Sequence, residues 1–469
     1  MMSTFLILGQ TNGFVLDSEH NPIEKVSVYL VDQKIILYTN ENGIFLVDQE
    51  TPDNSSVYFY KLGYASKLVK YQKDIQFKVI LEKLHVTLDE VGVTESFNEL
   101  GNSRLTNIEK KSIENVFLNS NSMIESVAEL SGVDMVSSGL GIQKVVVRGL
   151  SGMRVVTYLN GIKINNQQWA NDHGNGFTDL GLNEVELIKG ASALKYGGEA
   201  IGGLLYFKDS PFLSSQKLNG FIATKFNNSS YLSSSQFGIK WNMRDFYFNL
   251  YGQYSLSSDY RLPNNDYLFN SRFKENAIKF SIAHRYKNLQ NIFRYQLHTE
   301  ETGIPGHVCV GDPALQDILN LTSSSLDFSE DYKTNRPSQF INNQLFVYES
   351  SYLINDLKLS LHTGYFINNL QEYEKWTRPA FDLTISQTQL TPNIRYAFND
   401  VTLNFGTQLI ILDNKNNIDD RLIPDASTMS IGPYAIVDYE KDNIGFNSGL
   451  RYDYKKLNSS DISLNKDYE

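Results

Sequence analysis

From about residue 216 onward, apolar and polar residues alternate with a period of two, and this constrains the fold more than any other feature. Phe246, Phe248, Leu250, Tyr254 and Leu256 alternate with Tyr247, Asn249, Tyr251, Gln253 and Ser255. Leu357, Leu359 and Leu361 alternate with Lys358, Ser360 and His362, and Val401, Leu403 and Phe405 continue the pattern. A period of two belongs to strands whose two faces meet different surroundings. Short turns such as Lys287-Asn288, Asn399-Asp400 and Lys441-Asp442-Asn443 alternate with long polar connections, notably 300–338. A soluble antiparallel sandwich alternates equally well. Short turns on one side and long loops on the other are instead the pattern of a barrel in an outer membrane.

Composition narrows the choice. The chain has 469 residues, enough for two to four domains, with 12% aromatic residues, mostly Tyr and Phe. Membrane barrels place such rings in girdles at both water interfaces. A net charge of -11 makes neither nucleic acid nor anionic lipid a natural electrostatic partner. No apolar run is long enough for a transmembrane helix, and in lipid only a closed barrel otherwise satisfies the backbone. One cysteine, Cys309, excludes an internal disulfide framework. Met1 to Gln10 carries a short apolar stretch without positive charge, so residues 1–9 read as the residue of a signal peptide or as disordered.

Residues 10–84 read as a small β-sandwich: Gly13-Phe14-Val15-Leu16 and Val26-Ser27-Val28-Tyr29-Leu30 alternate, and Asn40-Glu41-Asn42-Gly43 forms a turn before Ile44. With the later Gly63-Tyr64, this pattern resembles the carboxypeptidase-regulatory-like domain, which implies nothing catalytic. Residues 85–104 are a polar linker, 105–210 a compact α+β domain, and 216–469 the alternating strands. In 105–210, Ser122-Met123-Ile124-Glu125 is a capping box. Met123, Ile124, Val127 and Leu130 follow at helical spacing, and Gly132 stops the turn. Asn160-Gly161 between apolar runs is a hairpin signal. Gly197, Gly198, Gly202 and Gly203 supply positive φ in a tight loop. No Gly-Lys-[Ser/Thr] follows, so this loop does not cradle phosphate.

The segment Val185-Glu186-Leu187-Ile188-Lys189-Gly190-Ala191-Ser192-Ala193-Leu194 through Gly203, after a hairpin-like unit from Val145-Val146-Val147-Arg148-Gly149 to Ile162, resembles the plug domain of TonB-dependent outer-membrane receptors. With the sandwich in front, it is similar to receptors of the Bacteroidetes type. Departures are Ser131 and Ala191 at positions where the family commonly has proline, and Leu204-Leu205-Tyr206 in place of Val-Val-Asn. The expected fold is mostly β: an N-terminal β-sandwich, an α+β plug, and the N-terminal part, about half, of a transmembrane antiparallel β-barrel. About eleven strands are expected against about 22 in plugged transporters, so the barrel reads as partial.

The resemblance implies TonB-dependent active transport across the outer membrane of a scarce metal chelate, an iron–siderophore first. Import of zinc or another metal ion is the alternative. A glycan or peptide importer is disfavoured by Gly190, where those relatives carry Asp, and the sandwich does not look like the extension of a signalling receptor. The implied partners are the TonB-ExbB-ExbD complex, outer-membrane lipid and the chelate or metal ligand, for a monomer that is not an enzyme and needs no cofactor. Asp89, Glu90, Val91, Gly92, Val93 and Thr94 are the candidate TonB box; a β-prone hexamer in a linker suits strand addition, though it reads equally as a last sandwich strand. The loop after the Asn-Gly hairpin, with Gln167, Gln168, Trp169, Asp172 and His173, is the candidate ligand-binding apex. Asp172 and His173, joined by His307 and Cys309 from the long loop, are candidate metal ligands, the alternative being a polar loop with scattered donors. Arg148 and Glu186, on adjacent plug strands by this reading, are the candidate gating pair or an ordinary structural ion pair.

Overall fold

In a computed structural model, residues 11–81 and 108–460 are described, apart from 18–19, 34, 48–50, 62–63, 65–66, 72–76, 114–115, 121, 166–175, 177, 200–202, 214–216, 264–266, 306–331, 335–336, 375–377, 420, 422 and 442–443. The chain divides into two compact units, Met1–Val91 and Gly92–Glu469.

The first unit contains β1 (Thr11–Asp17), β2 (Ser27–Leu30), β3 (Ile35–Tyr38), β4 (Ile44–Val47), β5 (Ser56–Tyr60), β6 (Lys67–Lys70) and β7 (Phe77–Leu81). They form two sheets, ordered β4-β1-β7 and β3-β2-β5-β6. Alternation supplies the core: Val28 and Leu30 of β2 and Val57 and Phe59 of β5 point inward. Phe45 packs edge-on against Phe59, with ring centroids 5.5 Å apart. The Asn40–Gly43 turn forms as its residues dictate. Gly43 has φ +68°, and the Asn40 side chain accepts the N–H groups of Asn42 and Ile44.

The second unit opens with β8 (Ile108–Ser112), α1 (Val116–Asn119), α2 (Met123–Val127), β9 (Val133–Ser137), β10 (Gln143–Val147), β11 (Val156–Leu159), β12 (Ile162–Lys163), β13 (Leu182–Ile188) and β14 (Leu204–Asp209). Five of these make one sheet, ordered β12-β11-β14-β13-β8, and β9 and β10 pair separately as a hairpin. Ser122 caps α2 by accepting the Glu125 N–H, and Met123, Ile124 and Val127 turn inward. Gly132, at φ +75°, ends the turn that follows. The hairpin-like unit read from 145 to 162 does not form as one piece. Arg148 and Gly149 both take positive φ, 51° and 77°, and turn the chain out of the β9–β10 pair before β11 begins in the other sheet. Asn160-Gly161, with φ of 47° and 83°, does join β11 to β12. Gly197 and Gly203 have φ of 117° and 123°. Gly198 does not take positive φ and Gly202 lies outside the described residues, so among the described residues of this loop Gly197 and Gly203 are the ones that need the freedom of glycine.

The remaining strands are β15 (Leu218–Asn227), β16 (Leu232–Met243), β17 (Phe246–Ser257), the short pair β18 (Tyr260–Arg261) and β19 (Tyr267–Leu268), β20 (Phe273–Tyr286), β21 (Leu289–Gly303), β22 (Ser338–Ile354), β23 (Leu357–Tyr373), β24 (Phe381–Phe398), β25 (Val401–Asn416), β26 (Ala426–Lys441), β27 (Ile444–Arg451) and β28 (Tyr454–Ser459). Without β18 and β19 they form a 12-stranded antiparallel sheet running from β15 to β27, with β28 also on β26. β27 and β28 pair with β26 in one register, Tyr434 with Arg451 and Ile431 with Tyr454, so they are one strand position interrupted at Tyr452-Asp453. The sheet thus has the eleven positions expected from the alternation.

Its two faces are inverted relative to a soluble sheet. Gln387 and Gln389 are 0% exposed and His298 is 1% exposed, whereas Leu390 on the same strand is 38% and Ile394 47% exposed. The polar face is covered by the β8–β14 domain and the apolar face is bare. A continuous bare apolar face is stable only in contact with another apolar phase. Two-residue turns at Arg244-Asp245, Lys287-Asn288, Asn355-Asp356 and Asn399-Asp400 lie at one end, and the strand ends that lead into 258–272 and 304–337 lie at the other.

Candidate plug gate and ligand face

The β11–β12 hairpin is held to the sheet by side chains that imitate a neighbouring strand. Gln389 accepts the Lys163 N–H at 3.0 Å and donates to the Gly161 carbonyl at 2.7 Å. Gln387 donates to the Lys163 carbonyl at 2.8 Å and accepts from Asn165. On the far side of the loop that follows, Asn343 donates to the Gly176 carbonyl and accepts from Asn368. Both roots of the 166–175 loop are therefore fixed to β22 and β24, in the half of each strand nearer the long connections. Gln167, Gln168, Trp169, Asp172 and His173 lie outside the described residues, as do His307, Cys309 and all six residues of the candidate box, Asp89 to Thr94. Among the described residues, no group of three or more His, Cys, Asp or Glu is placed to hold a metal ion.

A second junction is ionic and buried. Asp209, at the end of β14, accepts from Lys279 of β20 at 2.6 Å and lies 3.7 Å from Arg294 of β21. Lys279 also donates to the Leu180 carbonyl at 3.1 Å. Arg294 in turn binds Glu349 of β22 at 2.9 Å, and His362 of β23 stands 3.9 Å from the other Glu349 oxygen. One carboxylate of the inner domain thus enters a chain of four charged or ionisable side chains on four successive strands. Each charge is out of water, so each depends on its partner.

The third junction uses the tight 3-10 turn Gly190–Tyr196. Arg451 donates to the Leu194 and Lys195 carbonyls at 3.3 and 3.1 Å and to Gln408 at 3.1 Å. Gln408 donates to the Tyr158 hydroxyl, which donates to the Tyr196 carbonyl, each at 2.7 Å. Beside it, Glu199 pairs with Lys163 and with Lys455. Those ammonium groups, Lys163 foremost, hold its carboxyl down to about 2.

Arg148 and Glu186 do not sit on adjacent strands. Glu186 lies on β13 between β14 and β8, is fully buried, and binds Lys208 at 2.6 Å and Lys110 at 3.1 Å. Burial opposes its ionisation, but the two lysines hold the carboxyl below its ordinary range. Arg148 stands exposed in the turn after β10, a strand paired with β9 in a separate hairpin. The physical reason is topological: β14 takes the place beside β13 that the reading gave to β10. The sequence reading missed Asp209, Lys279, Arg294, Glu349, Gln387, Gln389 and Arg451. Apart from Asp209, which ends the inner-domain strand β14, their signal was present as charged and amide residues at the inward positions of apolar-outward strands.

The comparisons with known proteins agree with this geometry. Residues 100–204 match the family model of the TonB-dependent receptor plug domain. A segment of 85 residues is 34% identical to a vitamin B12 transporter, BtuB, of Photobacterium profundum, covering 18% of this chain and 14% of that protein. The ferric citrate transporter FecA in its unliganded form superposes with a TM-score of 0.54 at 12% identity, covering 75% of this chain and 57% of the other. The FrpB iron transporter from Neisseria meningitidis (F3-3 variant) gives a TM-score of 0.58 at 13% identity, covering 72% and 56%. The ferric enterobactin receptor PfeA of Pseudomonas aeruginosa, as its Q482A mutant with enterobactin, gives 0.58 at 10% identity, covering 75% and 59%. At such identities the likeness is one of fold, and the chain spans little more than half the length of these solved relatives. Residues 100–204 thus match a TonB-dependent receptor plug domain, seated on the polar face of an inside-out sheet whose fold is similar to that of these solved transporters.

Proposed function

We propose that the complete protein imports a scarce metal chelate, an iron–siderophore first, across the outer membrane, with the plug gating the barrel. The observation that carries this is the character of the plug–sheet interface. Although Leu345, Val347 and Phe366 join the plug's apolar core, the specific ties are amide clamps and buried ion pairs. Polar ties exchange with water at small net cost once opened together, so such an interface can part and reform. The solved relatives are named as iron transporters and siderophore receptors, which supports iron; the curated relative is named as a vitamin B12 transporter.

Energy would come from the inner membrane through TonB-ExbB-ExbD, pulling on the linker at Asp89–Thr94, and the protein would work as a monomer that catalyses no reaction. The loop bearing Gln167, Gln168, Trp169, Asp172 and His173 would contact the ligand. Zinc is the second reading, favoured by Asp172-His173 together with His307 and Cys309. The test is binding of radio-iron ferric siderophores and of radio-zinc to the complete protein and to its Asp172→Ala/His173→Ala variant. Loss of binding for one cargo identifies it. Unchanged affinity for both removes the apical site.

A further inference from the structure

The tip of hairpin β9–β10 is keyed into the roots of two long connections. Gly139 has φ +117°, and a Cβ there would stand 3.1 Å from Ser271 Cβ. A Cβ on Gly141 would strike the Thr302 hydroxyl and come within 3.0 Å of Phe273 Cβ. Those neighbours belong to a clamp. The Asn270 amide donates to the Pro337 carbonyl at 2.7 Å and the Ile304 carbonyl at 3.4 Å, so it holds both roots of the 304–337 connection. Arg272 extends it, reaching the Lys333 carbonyl at 3.2 Å and Asp259 at 3.1 Å.

The other end of the hairpin is tied to the first plug strand. Five residue pairs separate the ends, from Ser137–Gln143 to Val133–Val147, a span of about 13 Å at ~3.3 Å per residue. Just before β9, the Ser131 N–H donates to the Glu109 carboxylate of β8 at 2.8 Å. Lys189 approaches the other Glu109 oxygen at 3.5 Å, and Lys111 of β8 pairs with Glu129. β8 is an edge strand: among the described residues it pairs only with β13. An edge strand leaves its sheet by breaking one ladder rather than two.

We propose that the β9–β10 hairpin is a strut coupling the outer connections to β8, with Glu109 as the latch that keeps this entry strand on the plug. Tight packing at Gly139 and Gly141 passes displacement of the clamp to the hairpin, because packed contacts of this kind shift rather than compress. Displacement at the far end then lengthens the Glu109–Ser131 bond and frees β8. The inference rests on the plug-gating function, but its test needs no transport.

Hydrogen exchange followed by mass spectrometry on the full chain in detergent reads it directly. Asn270→Gly removes the clamping amide while tolerating the φ of +62° at that position. It is expected to speed exchange of the 108–112 amides about tenfold and to leave β11 and β14 unchanged. Glu109→Gln is expected to do the same without disturbing 270–273. Should Asn270→Gly fail to fold, Gly141→Ala perturbs the same contact from the plug side. Faster exchange at 270–273 or 303–304 with 108–112 at the wild-type rate overturns the strut, and a wild-type rate at 108–112 in Glu109→Gln overturns the latch. A protein that never transports yet shows both accelerations sinks the functional reading alone.

Discussion

Removing the Asp209 carboxylate is the perturbation whose cost the structure allows to be worked out most directly. Lys279 is 1% exposed, and among the described residues its ion-pair partner is Asp209 at 2.6 Å, beside a bond to the Leu180 carbonyl. Arg294 loses a contact at 3.7 Å but keeps Glu349 at 2.9 Å, so the damage falls on Lys279. Stranding one member of a buried pair costs about 3–5 kcal/mol. The Leu180 bond keeps the figure near the lower end, so Asp209→Ala should open the plug about a hundredfold more often, at about 1.4 kcal/mol per factor of ten. Native-state hydrogen exchange at 180–182 and 204–209 reads that opening. The double variant Asp209→Leu/Lys279→Met removes both charges and should return to within about 1 kcal/mol of the native protein, because paired burial is then no longer required. A single variant that exchanges like the native protein, or a double variant as loose as the single one, refutes the reasoning.

Two further outcomes follow from local geometry. Gly161→Ala combines φ +83° with a Cβ only 2.8 Å from the His362 ring, so it should cost about 1–3 kcal/mol and lower the melting temperature of the folded protein. Burial, with repulsion from Glu275 and partial relief from Lys225, pushes the Asp179 carboxyl from 3.8 up to about 6. The folded state therefore binds a proton that the unfolded state has released between those values, and stability falls as pH rises from about 4 through about 6. Asp179→Asn should flatten that stretch of the stability–pH curve and gain about 1–3 kcal/mol above pH 7, read by exchange at 178–182; an unaltered curve would show that Asp179 does not titrate there.

The alternation made the sheet legible because an inside-out barrel keeps the period of any two-faced strand and merely exchanges the faces. Even the strand broken at Tyr452-Asp453 holds its register on β26, which is why the eleven positions could be counted from the pattern. Local signals also succeeded: Ser122 caps its helix and Asn160-Gly161 turns its hairpin. What failed was pairing at a distance. β11 and β14 run parallel with β12 and β13 between them in the chain, so nothing near Arg148 or Glu186 announces that β14 flanks β13 while β10 pairs with β9 in a separate hairpin. The gate was hidden for the same reason: Asp209 meets a lysine 70 residues away and an arginine on the next strand. A charged residue at an inward strand position is visible in the sequence, whereas the identity of its partner is set by register.

The central claim, energy-driven import through a plugged barrel, is tested most directly by uptake in cells carrying the complete protein. Radio-iron siderophores and radio-zinc would be followed with and without a protonophore, and in a variant lacking residues 89–94. The account predicts that one cargo accumulates in the native strain, that the protonophore abolishes accumulation while surface binding persists, and that the deletion behaves like the protonophore. Accumulation of that cargo at the native rate in de-energised cells would contradict it.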